Sequence, residues 1–310
     1  MAENRILLSG ATGFIGKELC ARLLTAGYHL SALRRNTRPD HSSAISWLDS
    51  GDISTTPIAP SAGHNVDVFI HLAATLRPTS SDPCGLDSQN AAIASNLSRF
   101  VAEAGIPRVI VLSSIAASVA ARSPEHARRY GLEKLAADRI FTEKLGHRCK
   151  LIILRPPAVY GPNMRNSIAA LTRMVEKGLP IPLGLATQTR HYISVRNLCD
   201  LIMKIVMADE NQWAAAAGKI FEPSDNQGIA TRDLVQMIAH AKGRRARLIP
   251  APLILLRAMG SMTGRSELIS GAIDGLDVAP VVELEAAFGW RPVEQMPESL
   301  AFMRDEIRPF

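Results

Sequence analysis

The sequence predicts an α/β protein: a doubly wound parallel sheet followed by a smaller mixed lobe in the C-terminal half. Three observations carry this. Short apolar runs alternate with amphipathic helical patterns as far as Arg155. The first run ends in a glycine-rich turn that opens a helix. Beyond Arg155 the texture changes, with Pro156, Pro157, Pro162, Pro180 and Pro182 breaking up helices and long connections.

Arg5 to Ser9 reads as the first strand and Phe14 to Ala26 as an amphipathic helix stopped by Gly27. Tyr28 to Leu33, Asp67 to Leu72, Arg108 to Leu112 and Lys150 to Leu154 read as further strands, with helical patterns between several of them. Parallel neighbours require crossover connections, and right-handed crossovers cover both faces of the sheet. The expected division is a first domain over 1–160, with a return segment near 190–222, and a second lobe occupying most of 161–310.

Composition excludes several classes. With 310 residues, 47% of them apolar and 21% charged, the chain reads as an ordinary globular protein. Its start lacks the basic, apolar and small-residue sequence of a secretory leader, so a soluble cytoplasmic protein is expected. The most apolar later stretch, Leu248 to Met259, is interrupted by Pro250, Pro252 and Arg257. It is too short to span a bilayer and reads as a buried helix of the second lobe. Cys20, Cys84, Cys149 and Cys199 lack metal-site spacing and read as reduced core thiols, so no metal is expected. A formal charge of +6 suits anionic ligands. The Arg244, Arg245 and Arg247 cluster lacks a nucleic-acid motif and reads as a solvated loop.

Gly10-Ala11-Thr12-Gly13-Phe14-Ile15-Gly16 lies between the first strand and the first helix. Backbone amides at such a turn can approach a pyrophosphate at a helix N-terminus, and glycine removes the Cβ that would block it. Gly10, Thr12, Gly13, Phe14, Ile15 and Gly16 are therefore candidates for binding a dinucleotide on a Rossmann fold. The next strand ends in Leu33-Arg34-Arg35, where an acidic residue would take the ribose of NAD. Arginines there suit a 2′-phosphate, which favours NADP(H) over NAD(H). Asp52 and Ile53 fit the adenine side, although a solvated loop carboxylate is the competing reading of Asp52. Leu72, Ala73 and Ala74 supply small side chains beside the cofactor.

Tyr130-Gly-Leu-Glu-Lys134 opens a helical pattern, and i, i+4 spacing sets phenol and ammonium on one face. An adjacent ammonium favours the phenolate, so Tyr130 can exchange a proton with a hydroxyl while hydride moves to or from a nicotinamide. Ser113 and Ser114 end the strand Arg108 to Leu112, at the edge where α/β sheets present ligands. Ser114 can hydrogen-bond the same substrate oxygen.

With these residues in place the sequence resembles the extended short-chain dehydrogenase/reductases, in particular their nucleotide-sugar epimerase, dehydratase and reductase branch. The resemblance covers nearly the whole chain. It rests on GATGFIG (10–16), DVFIHLAA (67–74), Asn90 and Asn96, VIVLSS (109–114), YGLEK (130–134), LRPPAVYGP (154–162), RHYISVRNL (190–198) and FGWRP (288–292). It implies a Ser114, Tyr130 and Lys134 triad, with Lys134 also on the nicotinamide ribose and Asn90 supporting the site. It further implies that Pro156 to Val159 meet the nicotinamide, that Asn166 and Arg190 grip the diphosphate of a UDP-sugar, and that Leu183 belongs to the uracil pocket. Loop caps and surface charge are the competing readings of these last residues. The stretch between Ser114 and Tyr130 is shorter than is usual in that branch.

The expected activity is hydride transfer at C4 of a UDP-hexose or its 4-keto form, by an epimerase or a reductase that works as a homodimer. The alternatives are an NADPH-dependent reductase of a hydrophobic ketone or aldehyde, and a non-catalytic dinucleotide sensor.

Overall fold

The computed structural model describes residues 5–35, 44–264, 266–296 and 298–305. Ten strands are described: β1 (Arg5–Ser9), β2 (His29–Arg34), β3 (Ile45–Asp49), β4 (Val68–His71), β5 (Arg108–Leu112), β6 (Lys150–Leu154), β7 (Ala158–Tyr160), β8 (Thr189–Ser194), β9 (Ile220–Phe221) and β10 (Gly228–Ala230). Seven form one sheet in the order β3-β2-β1-β4-β5-β6-β9, with every pair parallel. This is the expected doubly wound Rossmann sheet. The chain leaves β1 toward β3, then returns to build outward from β4, so the order reverses between β1 and β4. Ligands of open α/β sheets bind at the carboxyl ends of strands at such a reversal.

The chain divides into two compact units. The first comprises 1–156, 199–222 and 282–290. Its helices are α1 (Phe14–Thr25), α2 (Gln89–Ala104), α3 (Ile115–Arg122), α4 (Arg129–Leu145), the later part of α6 (Val195–Met207), α7 (Glu210–Ala216) and α11 (Val282–Phe288). Local chemistry sets their ends. Ser88 caps α2 by accepting from the Ala91 amide, and Gly105 closes it at φ 70°. Asp209 and Gln212 form a capping box on α7. β4 is buried along its length, and β5 and β6 are buried apart from their first residues, as parallel strands covered on both faces must be. Phe69, Leu97, Phe100, Val109 and Phe141 join sheet, α2 and α4 in one core. Each such side chain contributes roughly 1.5–3 kcal/mol by leaving water.

The second unit comprises 157–198, 223–281 and 291–310. It holds the mixed sheet β10-β8-β7, in which β10 and β8 are antiparallel while β7 and β8 are parallel. Its helices include α5 (Ser167–Glu176), α8 (Thr231–Ala241), α9 (Leu253–Met262) and α10 (Ser266–Ile273). A buried carboxylate, Asp225, accepts from the Tyr160 hydroxyl at 2.7 Å, from Asn197 Nδ2 at 2.7 Å and from the Ser194 amide. Residues 190–198 belong to this unit, and the further return to the first unit is 282–290.

Two sequence expectations are corrected. The stretch expected as a buried helix forms α9, which buries Leu256 and Gly260 but leaves Ile254 80% and Met262 88% exposed. Apart from Arg257 and Ser261 it lacks polar side chains, so periodicity could not assign a buried face. Of the expected core thiols, Cys20 and Cys199 are buried, Cys149 is half-buried and Cys84 is exposed, all of them free. No described helix is long and apolar enough to cross a membrane, and no metal-ligating cluster occurs among the described residues.

Candidate active site

The glycine turn follows β1 directly. Gly10 sits at φ 80°, and a Cβ there would lie 2.7 Å from the Ala73 nitrogen. The turn is thus packed against Leu72–Ala73 at the end of β4. A Cβ on Gly16 would strike the Gly10 carbonyl and approach Ala11 to 2.8 Å. Packing alone therefore demands Gly10 and Gly16. Gly13 differs: it is exposed, caps α1 in extended conformation, and its Cβ would meet only the Gly10 carbonyl, at 3.1 Å. The bare backbone at Gly13, ahead of the Phe14 and Ile15 amides, is an open cradle of the kind a pyrophosphate fills. Thr12 is exposed on the same turn. These residues fit a dinucleotide.

At the end of β2, Arg34 Nε bonds Asp49 at 2.6 Å and its guanidinium stands over Trp47. Arg35 pairs with Asp52 at 3.0 Å. Asp52 also accepts from Ser54, whose hydrogen bonds together with the Arg35 charge hold its carboxyl below the usual range. Asn96 Nδ2 fixes this loop through the Ile53 and Thr56 carbonyls, at 3.0 and 2.6 Å.

Ser114 caps α3, accepting from the Ala116 amide at 3.2 Å. Gly131, in the first turn of α4, packs on the α3 backbone, where a Cβ would stand 2.5 Å from the Ala116 carbonyl. That close approach brings α4 and its Tyr130 up to the helix that Ser114 caps. Burial raises the Tyr130 pKa, Ser114 opposes the rise, and the Asp138 and Glu133 charges reinforce it. Lys134 is buried and donates to the Leu112 carbonyl at 3.2 Å. Burial lowers its pKa and Asp138 opposes this. Desolvation therefore sets the direction for both groups, and the Asp138 charge partly compensates that of the lysine.

Asp138 is 2% exposed and bonds Arg155 Nε and Ser113 Oγ, each at 2.8 Å. Ser113 therefore serves this buried network through its hydroxyl. Asp138 Oδ1 accepts no hydrogen bond among the described residues. Asn90 both accepts from the Thr75 amide at 3.0 Å and donates to its carbonyl at 2.9 Å. His71, fully buried, takes a 2.6 Å hydrogen bond with Ser9, and desolvation together with the Lys134 charge holds its pKa near about 3. It is neutral at ordinary pH.

The structure brings the glycine turn, Leu72–Ala73, Asn90, Ser113, Ser114, Tyr130 and Lys134 together in the first unit. Pro156 accepts from the Ile115 amide at 2.9 Å, and the Val159 carbonyl accepts from Asn166 Nδ2 at 2.7 Å. Asn166, Leu183 and Arg190 lie in the second unit. Asn166 is the N-cap of α5, with Oδ1 accepting from the Ile168 and Ala169 amides. Leu183 is packed in that unit's core, and Arg190 Nη1 donates to the Asp274 carbonyl. Sequence reasoning missed Glu133, Asp138 and Arg155. The available signal was the i, i+4 spacing of Lys134 and Asp138, which puts the carboxylate on the helix face of Tyr130 and Lys134.

A parallel sheet reversing beside a bare glycine turn, with a half-buried tyrosine and a buried lysine one helical turn apart near a strand-end serine, has the form of a dinucleotide-dependent dehydrogenase site. The NAD dependent epimerase/dehydratase family matches residues 6–217, and the chain belongs to it. It is an enzyme of that family. UDP-glucose 4-epimerase of Vibrio cholerae is 28% identical over 94% of this chain and 92% of its own length. The UDP-N-acetylglucosamine 4-epimerase structure from Bacillus cereus matches with a TM-score of 0.73 at 17% identity, covering 99% of this chain and 100% of that one. The Thermus thermophilus UDP-glucose 4-epimerase complex with NAD matches with a TM-score of 0.71 at 21% identity, covering 97% and 98%.

Proposed function

We propose that this enzyme transfers hydride at C4 of a UDP-hexose or its 4-keto form. The observation that carries the reading is the close packing of α4, through Gly131, on the start of α3, which sets Tyr130 near Ser114 at the carboxyl edge of the sheet, with Lys134 one turn further along the same helix. When bound, the nicotinamide supplies the hydride acceptor or donor and, oxidised, a positive charge. Tyr130 Oη takes the 4-hydroxyl proton in the oxidising direction and returns one in the reducing direction. Ser114 Oγ holds that substrate oxygen, and Lys134, fixed by the Leu112 carbonyl, supplies the cation behind the phenol.

NADP(H) in preference to NAD(H) belongs to the same proposal. Arg34 and Arg35 support it, and their carboxylate partners set its size. A 2′-phosphate has to compete with Asp49 and Asp52, and the exchange is easiest at Arg35, whose side chain is 62% exposed. On the substrate side we assign the diphosphate to Arg190, whose Nη1 bond to Asp274 orients the guanidinium fork. Asn166 and Leu183 then act as supports, because the asparagine amide is committed to its cap and the leucine to the core. A cytoplasmic homodimer formed through α2 and α4 completes the reading.

Calorimetry with UDP tests the substrate assignment. The wild type binds, and Arg190→Ala weakens binding at least about tenfold, a loss of some 1.4 kcal/mol. Absence of UDP binding, or equal affinity in the variant, favours a ketone reductase instead.

A further inference from the structure

Glu133 is fully buried, directly precedes Lys134, and has no part in the proton transfer just described. Its Oε1 accepts from two successive backbone amides of another segment, Thr79 at 2.6 Å and Ser80 at 2.7 Å. Its Oε2 accepts from Asn90 Nδ2 at 3.4 Å. The segment it holds is a strap over residues 75–88, running from the end of β4 to α2. The strap begins beside the glycine turn, since Leu72–Ala73 packs on Gly10. It ends against the helix that carries Tyr130: a Cβ on Gly85, already at φ 74°, would lie 2.8 Å from the Glu133 nitrogen and Cα.

The rest of the strap is fastened by the same device. Asp87 accepts from the Ser80 and Ser81 hydroxyls and from the Asp82 amide, and Asp82 in turn accepts from the Cys84 and Leu86 amides. Thr79 Oγ1 accepts from the Gln89 amide at 2.9 Å. At the other end Asn90 holds Thr75 through both backbone groups. Between the anchors at Thr75 and Thr79, the short run Leu76-Arg77-Pro78 stands out from the protein, with Leu76 71% exposed. A loop held by a side-chain amide at one end and by charge-assisted bonds to a carboxylate at the other presents such side chains in one place rather than many.

We propose that Glu133 is a positioning and specificity-determining residue, pinning the strap to the catalytic helix so that Leu76–Pro78 forms a fixed wall of the sugar site beside Tyr130. The inference rests on the nucleotide-sugar reading for its ligand, but the pin itself does not.

The test uses the full chain, with UDP-glucose as probe. In Glu133→Ala, amide hydrogen exchange at Thr79 and Ser80 accelerates about ten- to hundredfold, as loss of charge-assisted bonds requires. The UDP-glucose Kd rises about tenfold while the Kd for NADH stays within about twofold. Glu133→Gln keeps an acceptor oxygen for both amides and restores exchange and affinity. Gly85→Ala pushes the strap off the helix with the Glu133 charge intact and reproduces the affinity loss, which keeps the test decisive if Glu133→Ala does not fold. Faster exchange with unchanged UDP-glucose affinity, or a glutamine variant as impaired as the alanine one, overturns the proposal. A wild type that binds no UDP-glucose sinks the substrate reading, and exchange at Thr79 and Ser80 still decides the pin.

Discussion

Replacing the three turn glycines by alanine, one at a time, separates those that packing needs from the one a ligand needs. Gly13 has φ −73° and ψ 175°, a region open to alanine, and its new Cβ would touch only the Gly10 carbonyl at 3.1 Å. Gly13→Ala therefore changes stability by less than about 1 kcal/mol. Gly16→Ala drives a methyl into the Gly10 carbonyl and Ala11, all backbone that cannot swing aside, at a cost of about 1–3 kcal/mol. Gly10→Ala adds about 1–2 kcal/mol for its φ of 80° to a contact 2.7 Å from Ala73. At about 2–4 °C per kcal/mol, the two packing variants melt roughly 2–20 °C lower. Ligand response inverts the ranking. At a hundred times its Kd, NADH stabilises the wild type by about 2.7 kcal/mol, visible as a higher melting temperature. Gly13→Ala keeps the wild-type melting point without ligand and loses most of that gain, because its methyl occupies the cradle. Thermal unfolding with and without NADH reads both effects, and a Gly13→Ala protein that NADH stabilises like the wild type refutes the assignment of the turn.

Other substitutions probe the buried network. Asp138→Ala leaves Arg155 without its carboxylate in a site where the two side chains are 2% and 8% exposed. Destabilisation of about 3–5 kcal/mol in urea unfolding is expected, and a loss under about 1 kcal/mol contradicts the pairing. Because burial raises the Tyr130 pKa, the fraction of phenolate, and with it the rate of sugar oxidation, climbs with pH through neutrality and beyond the usual tyrosine value of about 10. The reducing direction, which needs the protonated phenol, stays flat over the same range and declines only at higher pH. An oxidation rate independent of pH between about 6 and 9 removes Tyr130 as the base.

Much of the sheet was legible because parallel strands covered on both faces leave near-continuous apolar runs, as in Ile6–Leu8 or Val109–Leu112. The strands that escaped lack that signature. β3 lies at the sheet edge and is exposed or half-buried along its length, and β9 has only two residues. The 282–290 return leaves no periodic mark, since docking of a distant segment is a tertiary fact. The residues proposed as catalytic were picked out by helix spacing and strand-end position. Their electrostatic surroundings were not: residues 133–138 are all buried, the carboxylates Glu133 and Asp138 among them. Similarly, the sequence exposes the cations of Arg34 and Arg35 but not that Asp49, far along the chain, meets one of them. Asn166 carried two signals, a family position and a polar residue ahead of an apolar helical run, and the fold displays the second in its capping bonds to the Ile168 and Ala169 amides.

Transfer of deuterium from C4-deuterated UDP-glucose to the nicotinamide, followed by mass spectrometry in the wild type and in Tyr130→Phe, is the most direct measurement of the proposed chemistry. Labelled cofactor in the wild type, reduced at least about a hundredfold in a variant that binds NADH normally, is the predicted result. Label that never reaches the nicotinamide, or reaches it equally in the phenylalanine variant, contradicts it.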